Sequence, residues 1–147
     1  MNRTLPEETF VRIREVLQAA PDVEVAACFG SAARGRLTAD SDVDVYVRLR
    51  RGASWSPQQE LALIPELCAA AGREVDLTLE DEERTSVILR LEVARHGRLL
   101  FERRPGAWVD LRARAMLAYA DLEPWMRLCG EGVRRALASR IEDAHAR

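Results

Sequence analysis

From residue 42 to residue 50 the chain alternates without a break. Val43, Val45, Val47 and Leu49 share one parity, and Asp42, Asp44, Tyr46 and Arg48 share the other. A two-residue period is that of a strand, so this segment is constrained to lie in a sheet with one apolar face and one polar face bearing carboxylates. Glu74 to Leu79 repeats the pattern, setting Val75, Leu77 and Leu79 against Asp76 and Thr78. Val23 to Phe29 is almost wholly apolar and stops at Gly30, the pattern of a buried strand. Arg98 to Glu102 is a short fourth candidate.

Between these runs the period changes to that of helices. Thr4 and Glu7 have the spacing of a capping box, and Phe10, Ile13, Leu17 and Ala20 recur helically until Pro21. Ser56 with Gln59 makes a second capping box, and Pro57 suits the first helical position. Leu61, Ile64, Leu67, Cys68 and Ala71 then run to a closing Gly72, with Pro65 expected to kink or shorten the helix. A further helix is predicted from about Arg84 to His96, closed by Gly97. From Trp108 to Ile141 the positions Leu111, Ala115, Ala118, Leu122, Trp125, Cys129, Val133, Leu137 and Ile141 keep a helical period across Pro124. This predicts one kinked helix or two stacked ones. The order implies an α/β (α+β) fold: a small mixed sheet, helices packed on its Val/Leu face, and a C-terminal helical segment.

At 147 residues the chain can bury one core, so a single domain over 1–147 is expected, with an α/β part over about 1–104 and C-terminal helices over about 105–147. Twenty-two Lys and Arg against 24 Asp and Glu give a net charge of -2, which argues against direct binding of nucleic acid through a dominant basic surface. Cys28, Cys68 and Cys129 are odd in number and far apart, which argues against a disulfide framework or a zinc site. They are expected to be small buried apolar residues in a reducing compartment. No apolar run has the length of a membrane span, and Met1 to Glu8 lacks the pattern of a signal peptide, so the expectation is a cytoplasmic protein without membrane attachment.

The chemistry is concentrated between two of the strands, where Gly30-Ser31 is followed after ten residues by Asp42-Val43-Asp44. Gly30 lets the backbone approach a bulky ligand at a strand end, and Ser31 is expected to cap a short helical turn. Amides at such a turn, with the Ser31 hydroxyl, form a cradle for a triphosphate. Arg34 and Arg36 are near enough to add positive charge, though a solvated loop would carry the same residues. Asp42 and Asp44 are two residues apart on one strand, about 6.6 Å along it and on one face. That geometry suits two metal ions about 3.5 to 4 Å apart, the arrangement used in nucleotidyl transfer, and hard oxygen ligands with phosphates favour Mg²⁺. Asp76, on the matching face of the next strand, can complete the set and accept the proton of an attacking hydroxyl.

These residues resemble a known family. Gly-Ser, ten residues, Asp-x-Asp and a later strand Asp is the signature of the polymerase-beta-like nucleotidyltransferase superfamily, and the wording Gly30-Ser-Ala-Ala-Arg-Gly35 is similar to its minimal (MNT) branch. The resemblance covers about Val23 to Asp76 and continues more loosely to the C-terminus. It implies Mg²⁺, as two ions, and a nucleoside triphosphate, ATP being the expected substrate. Gly30 and Ser31 would hold the phosphates, Asp42 and Asp44 would be metal ligands, and Asp76 the third carboxylate and base. It also implies a partner: many MNT proteins resemble antitoxins that silence a HEPN-domain RNase toxin by transferring AMP to a toxin tyrosine. A small-molecule acceptor, as in aminoglycoside nucleotidyltransferases, and an antitoxin that masks its partner with the Trp108 to Ile141 helices remain alternatives.

Other residues read more plainly. Asp40 is expected in turn or cap chemistry, and Arg48 in a surface salt bridge on an open face shared with Tyr46. His96 beside Gly97 complements a helix C-terminus, and its spacing to Arg90 carries no nuclease signature. Trp108, Tyr119 and Trp125 at helical spacing are expected in the core, with a partner surface as the alternative.

Overall fold

The computed structural model describes residues 4–145, and of residues 134 and 136–145 the backbone alone, so the side chains of Leu137 and Ile141 lie outside the described residues. The elements are α1 (Glu7–Gln18), β1 (Val23–Phe29), α2 (Gly30–Ala33), β2 (Val43–Leu49), α3 (Pro57–Ala71), β3 (Val75–Leu79), α4 (Val87–His96), β4 (Arg98–Glu102) and α5 (Ala107–His145). One mixed sheet has the order β3-β2-β1-β4. β1 is antiparallel to both β2 and β4, whereas β2 and β3 are parallel because α3 carries the chain back between them.

The Val43, Val45 and Val47 face packs with Ile13 and Leu17 of α1 and Leu67 of α3 in the larger core. α1 and α3 therefore lie where the strand alternation places helices. The opposite face is not left open as the sequence reading has it: Val25, Phe29 and Tyr46 pack under Val93 of α4 and Ala107 and Leu111 of α5, forming a second, smaller core. The cause lies in β1, where every residue except Glu24 is buried, so both faces of that strand need cover. A bulge serves this double duty. Val23 pairs with Leu49 but Val25 pairs with Arg48, so Val23 joins the larger core although it shares parity with Val25.

Several local expectations change. Thr4 and Glu7 form no capping box: Pro6 is the N-cap without a side-chain bond, and Glu7 instead pairs with Arg98 at 2.5 Å. The Ser56–Gln59 box forms in full, and Gly72 closes α3 in the left-handed conformation. α3 runs through Pro65 and α5 through Pro124, each as one helix. The predicted helix from Arg84 begins instead at Val87, capped by Ser86, whose hydroxyl accepts from the Leu89 N–H. Only the first turns of α5 pack on the body. Leu111 and Ala115 are buried, but Trp125, Met126, Leu128 and Val133 are exposed, so Trp125 is not a core residue and Cys129 is not buried. No helix among the described residues is long and apolar enough to cross a membrane.

Candidate active site

β1 delivers the chain to Gly30, whose φ of +62° turns it directly into α2. Across the β1–β2 pair, Phe29 is the register partner of Asp44, so the glycine stands beside that carboxylate. A Cβ on Gly30 would lie 2.3 Å from Oδ2 of Asp44. Glycine is needed here twice over, once for the left-handed backbone and once for the space the carboxylate fills.

Asp44 and Asp76 are register partners on the parallel strands β2 and β3, one strand spacing apart on the same face. Asp42 shares that parity one position ahead of β2 and is exposed, as is Asp76, while Asp44 is half-buried. The structure therefore brings the three predicted carboxylates to one end of one sheet face. Burial pushes the Asp44 carboxyl above its ordinary pKa, and the charges of Asp76 and Asp42 push it further in the same direction. Among the described residues no three His, Cys, Asp or Glu side chains are gathered tightly enough to enclose an ion. The donor set nevertheless suits a hard divalent cation: three carboxylates repel one another across a short span, and positive charge between them would relieve that repulsion.

The expected phosphate-binding residues divide. Gly30 opens α2, so the N-cap is Phe29 and Ser31 lies inside the turn rather than capping it; the Ser31 carbonyl accepts from the Arg36 N–H at 2.9 Å. Arg36 is exposed. Arg34 is no free loop cation, because its guanidinium is held by the Glu92 carboxylate of α4.

Farther along the same face the polar positions are covered, against the sequence reading. Tyr46 is fully buried and meets Phe29 edge to face, ring centroids 6.3 Å apart. Burial and the neighbouring Glu80 drive its hydroxyl upward from the ordinary phenol range. Arg48 is not a surface residue. Its guanidinium bonds Glu24 at 3.0 Å and the Ala107 carbonyl at 2.9 Å, with Glu80 at 3.9 Å. The signal for this network was Glu24, the one acid in an otherwise apolar strand, which also holds Arg104 at 3.1 Å. Beyond lies an open groove of about 1420 Å³, bordered by Trp55, Thr78, Glu80, Arg48 and Arg114. The groove lies at the C-terminal ends of β2 and β3, whereas the three aspartates stand at the N-terminal ends of those strands and are not part of its wall.

A family model described as polymerase beta, nucleotidyltransferase matches residues 12–105. No curated protein matches the sequence. Among solved structures, a chain of a toxin–antitoxin crystal structure with AMP-PNP has a TM-score of 0.71 at 20% identity, covering 84% of this chain and 97% of that one. A chain of the MntA–HepT toxin–antitoxin structure gives 0.68 at 18% identity, covering 87% and 98%. A chain in the structure of tri-AMPylated Shewanella oneidensis HEPN toxin in complex with MNT antitoxin gives 0.66 at 18%, covering 85% and 95%. At these identities the likeness is one of fold.

Proposed function

Since the chain belongs to the polymerase beta nucleotidyltransferase family, we propose that it transfers a nucleoside monophosphate, AMP from ATP, to a hydroxyl acceptor with release of pyrophosphate. The observation that carries this reading is the placement of Asp44 beside Asp76 in register, with Asp42 on the same face and Gly30 cleared to admit the Asp44 carboxylate. Asp42, Asp44 and Asp76 would hold Mg²⁺, which when bound neutralises charge on the triphosphate and its pyrophosphate leaving group. Gly30, Ser31 and the amides of α2 stand where the phosphates would rest, and Arg36 is available to them from the adjoining loop. Arg34 reaches them only by leaving Glu92. Asp76, the more exposed carboxylate of the register pair, accepts the acceptor's hydroxyl proton as its oxygen bonds to the α-phosphorus. Positioning and electrostatics supply most of the rate.

The acceptor in this reading is a tyrosine of a HEPN-domain toxin, and the chain is its antitoxin in the cytoplasm. Support comes from the structural neighbours, one solved with AMP-PNP and another containing a tri-AMPylated HEPN toxin bound to an MNT antitoxin. The test is transfer of label from α-³²P-ATP, with Mg²⁺, to the protein encoded by the adjacent gene, using Asp42→Asn as blank. Label on that protein that the variant cannot produce supports the reading; equal label with both proteins rules it out. A second reading, neutralisation by masking alone, is favoured by the exposed Trp125, Met126, Leu128 and Val133 of α5. It predicts that Asp42→Asn still silences the partner.

A further inference from the structure

Of the three clustered carboxylates, Asp44 and Asp76 are fixed by ladder pairing within β2 and β3. Asp42 is not. β2 begins at Val43, so the direction in which Asp42 is presented depends on the segment before it. That segment is a small turn closed on itself: the Thr38 N–H donates to the Ser41 hydroxyl at 2.9 Å, the two hydroxyls lie 2.8 Å apart, and the Ser41 N–H reaches the Thr38 carbonyl at 3.4 Å.

One side chain from elsewhere in the chain grips both ends of this turn. Arg73, in the connection from α3 to β3, donates from Nη1 to the Ser41 carbonyl at 2.9 Å and to the Thr38 carbonyl at 3.2 Å. The backbone carbonyl of its neighbour Glu74 accepts from the Val43 N–H at 3.0 Å, on the other side of Asp42. Asp42 is thus bracketed by bonds from two consecutive residues, and those residues lead straight into the strand that bears Asp76.

We propose that Arg73 is a positioning residue for the nucleotidyltransferase site: by holding the carbonyls of Thr38 and Ser41 it sets where the Asp42 carboxylate stands relative to Asp44 and Asp76. This rests on the proposed function for its catalytic consequence, and on the hydrogen bonds alone for its structural one. Charge-assisted bonds to a carbonyl are stronger than neutral ones, and those of Arg73 tie this turn to the connection that leads into β3. A lysine at this position keeps the charge but not the planar, pre-organised guanidinium, so it replaces the grip in part.

The experiment compares the full chain with Arg73→Ala and Arg73→Lys by amide hydrogen exchange and by transfer of label from α-³²P-ATP. In Arg73→Ala the amides of Thr38, Ser41 and Val43 should exchange about tenfold faster while those of β1 do not change. kcat should fall about tenfold or more with KM for ATP held within about twofold, because misplacing one group harms the chemical step more than ground-state binding. Arg73→Lys should lie between the two in both readouts. Unchanged exchange over 38–43, unchanged kcat, or exchange raised equally in β1 would each overturn the proposal, the last by showing a general structural role. If the wild-type chain transfers no label, the nucleotidyl-transfer reading falls, and the exchange over 38–43 still decides whether Arg73 sets the Asp42 segment.

Discussion

Gly30 and Asp44 are packed so that the hydrogen of the one stands where only the carboxylate of the other leaves room: a methyl carbon on Gly30 would lie 2.3 Å from Asp44 Oδ2. The contact joins the strand end that turns into α2 to the most buried of the three carboxylates. A substitution at the glycine is therefore a substitution at the site.

Gly30→Ala has two costs. The residue must hold φ at +62°, which disfavours a side chain by about 1 to 2 kcal/mol, and the new methyl must displace the carboxylate. Urea denaturation should show a loss of stability of at least that size, and transfer activity should fall by about two orders of magnitude. Wild-type activity in a folded Gly30→Ala protein would show that the Asp44 carboxylate need not stand where it does.

Asp42→Asn and Asp44→Asn should each reduce transfer by about a hundredfold or more while the far-ultraviolet circular dichroism is retained, since neither side chain is part of the core. Asp76→Asn should lower the single-turnover rate by about a hundredfold and weaken ATP affinity much less. Equal losses in rate and affinity would remove Asp76 from the role of base.

The pH dependence of stability follows from Asp44, whose folded-state pKa is raised above the ordinary 3.8 by burial and by Asp76 and Asp42. A raised carboxyl pKa means that the folded chain holds the proton more tightly than the unfolded chain does. The stabilisation is fully present below the unfolded value and is lost as pH rises through the folded one, so ionised Asp44 destabilises the metal-free protein at neutral pH. Asp44→Asn should then raise the melting temperature at pH 7 in chelator, with the gain shrinking toward pH 4. A variant that melts lower than wild type at pH 7 contradicts this account.

The three cysteines should react in sequence. Cys28 is fully buried and its thiol is pushed up to about 12 by burial, so at neutral pH it should resist an aromatic disulfide reagent until the chain unfolds. Cys129 is exposed and should react first, with half-buried Cys68 between. If a partner covers α5, the rate at Cys129 should drop on complex formation while that at Cys68 does not change.

What the sequence made legible was whatever depends on local period. Alternation placed Asp42, Asp44 and Asp76 on one polarity of two strands, and register then brought Asp44 and Asp76 side by side. The Gly-Ser spacing located the turn, because a left-handed residue at a strand end is a local requirement. Long-range partners were not legible in this way. Arg34 finds Glu92 58 residues away, and no local pattern distinguishes such a pair from a solvated loop cation. The second core was missed because α4 has no clear apolar stripe and because Tyr46 reads as polar when parity alone is counted. Adjacent buried Ala26 and Ala27 were the available sign that β1 needs cover on both faces. For Trp125, periodicity correctly named a helix face but could not say whether anything lies against it.

Helix α5 buries its last described side chain at Ala115 and touches α4 once more where Arg95 lies over the Tyr119 ring, and among residues 116–133 none is buried. Eighteen helical residues span about 27 Å, as long as a small domain is wide. The root of this rod is bonded to the sheet: the Ala107 carbonyl accepts from Arg48 of β2, the strand that carries Asp44 four residues earlier. Its base is tied to α4 as well, where the Ala94 carbonyl accepts from Arg112, so the helix is anchored on both the sheet and its neighbouring helix. A load on its outer turns would be shared between α4 and Arg48 before any of it reached the turn gripped by Arg73 at the other end of β2.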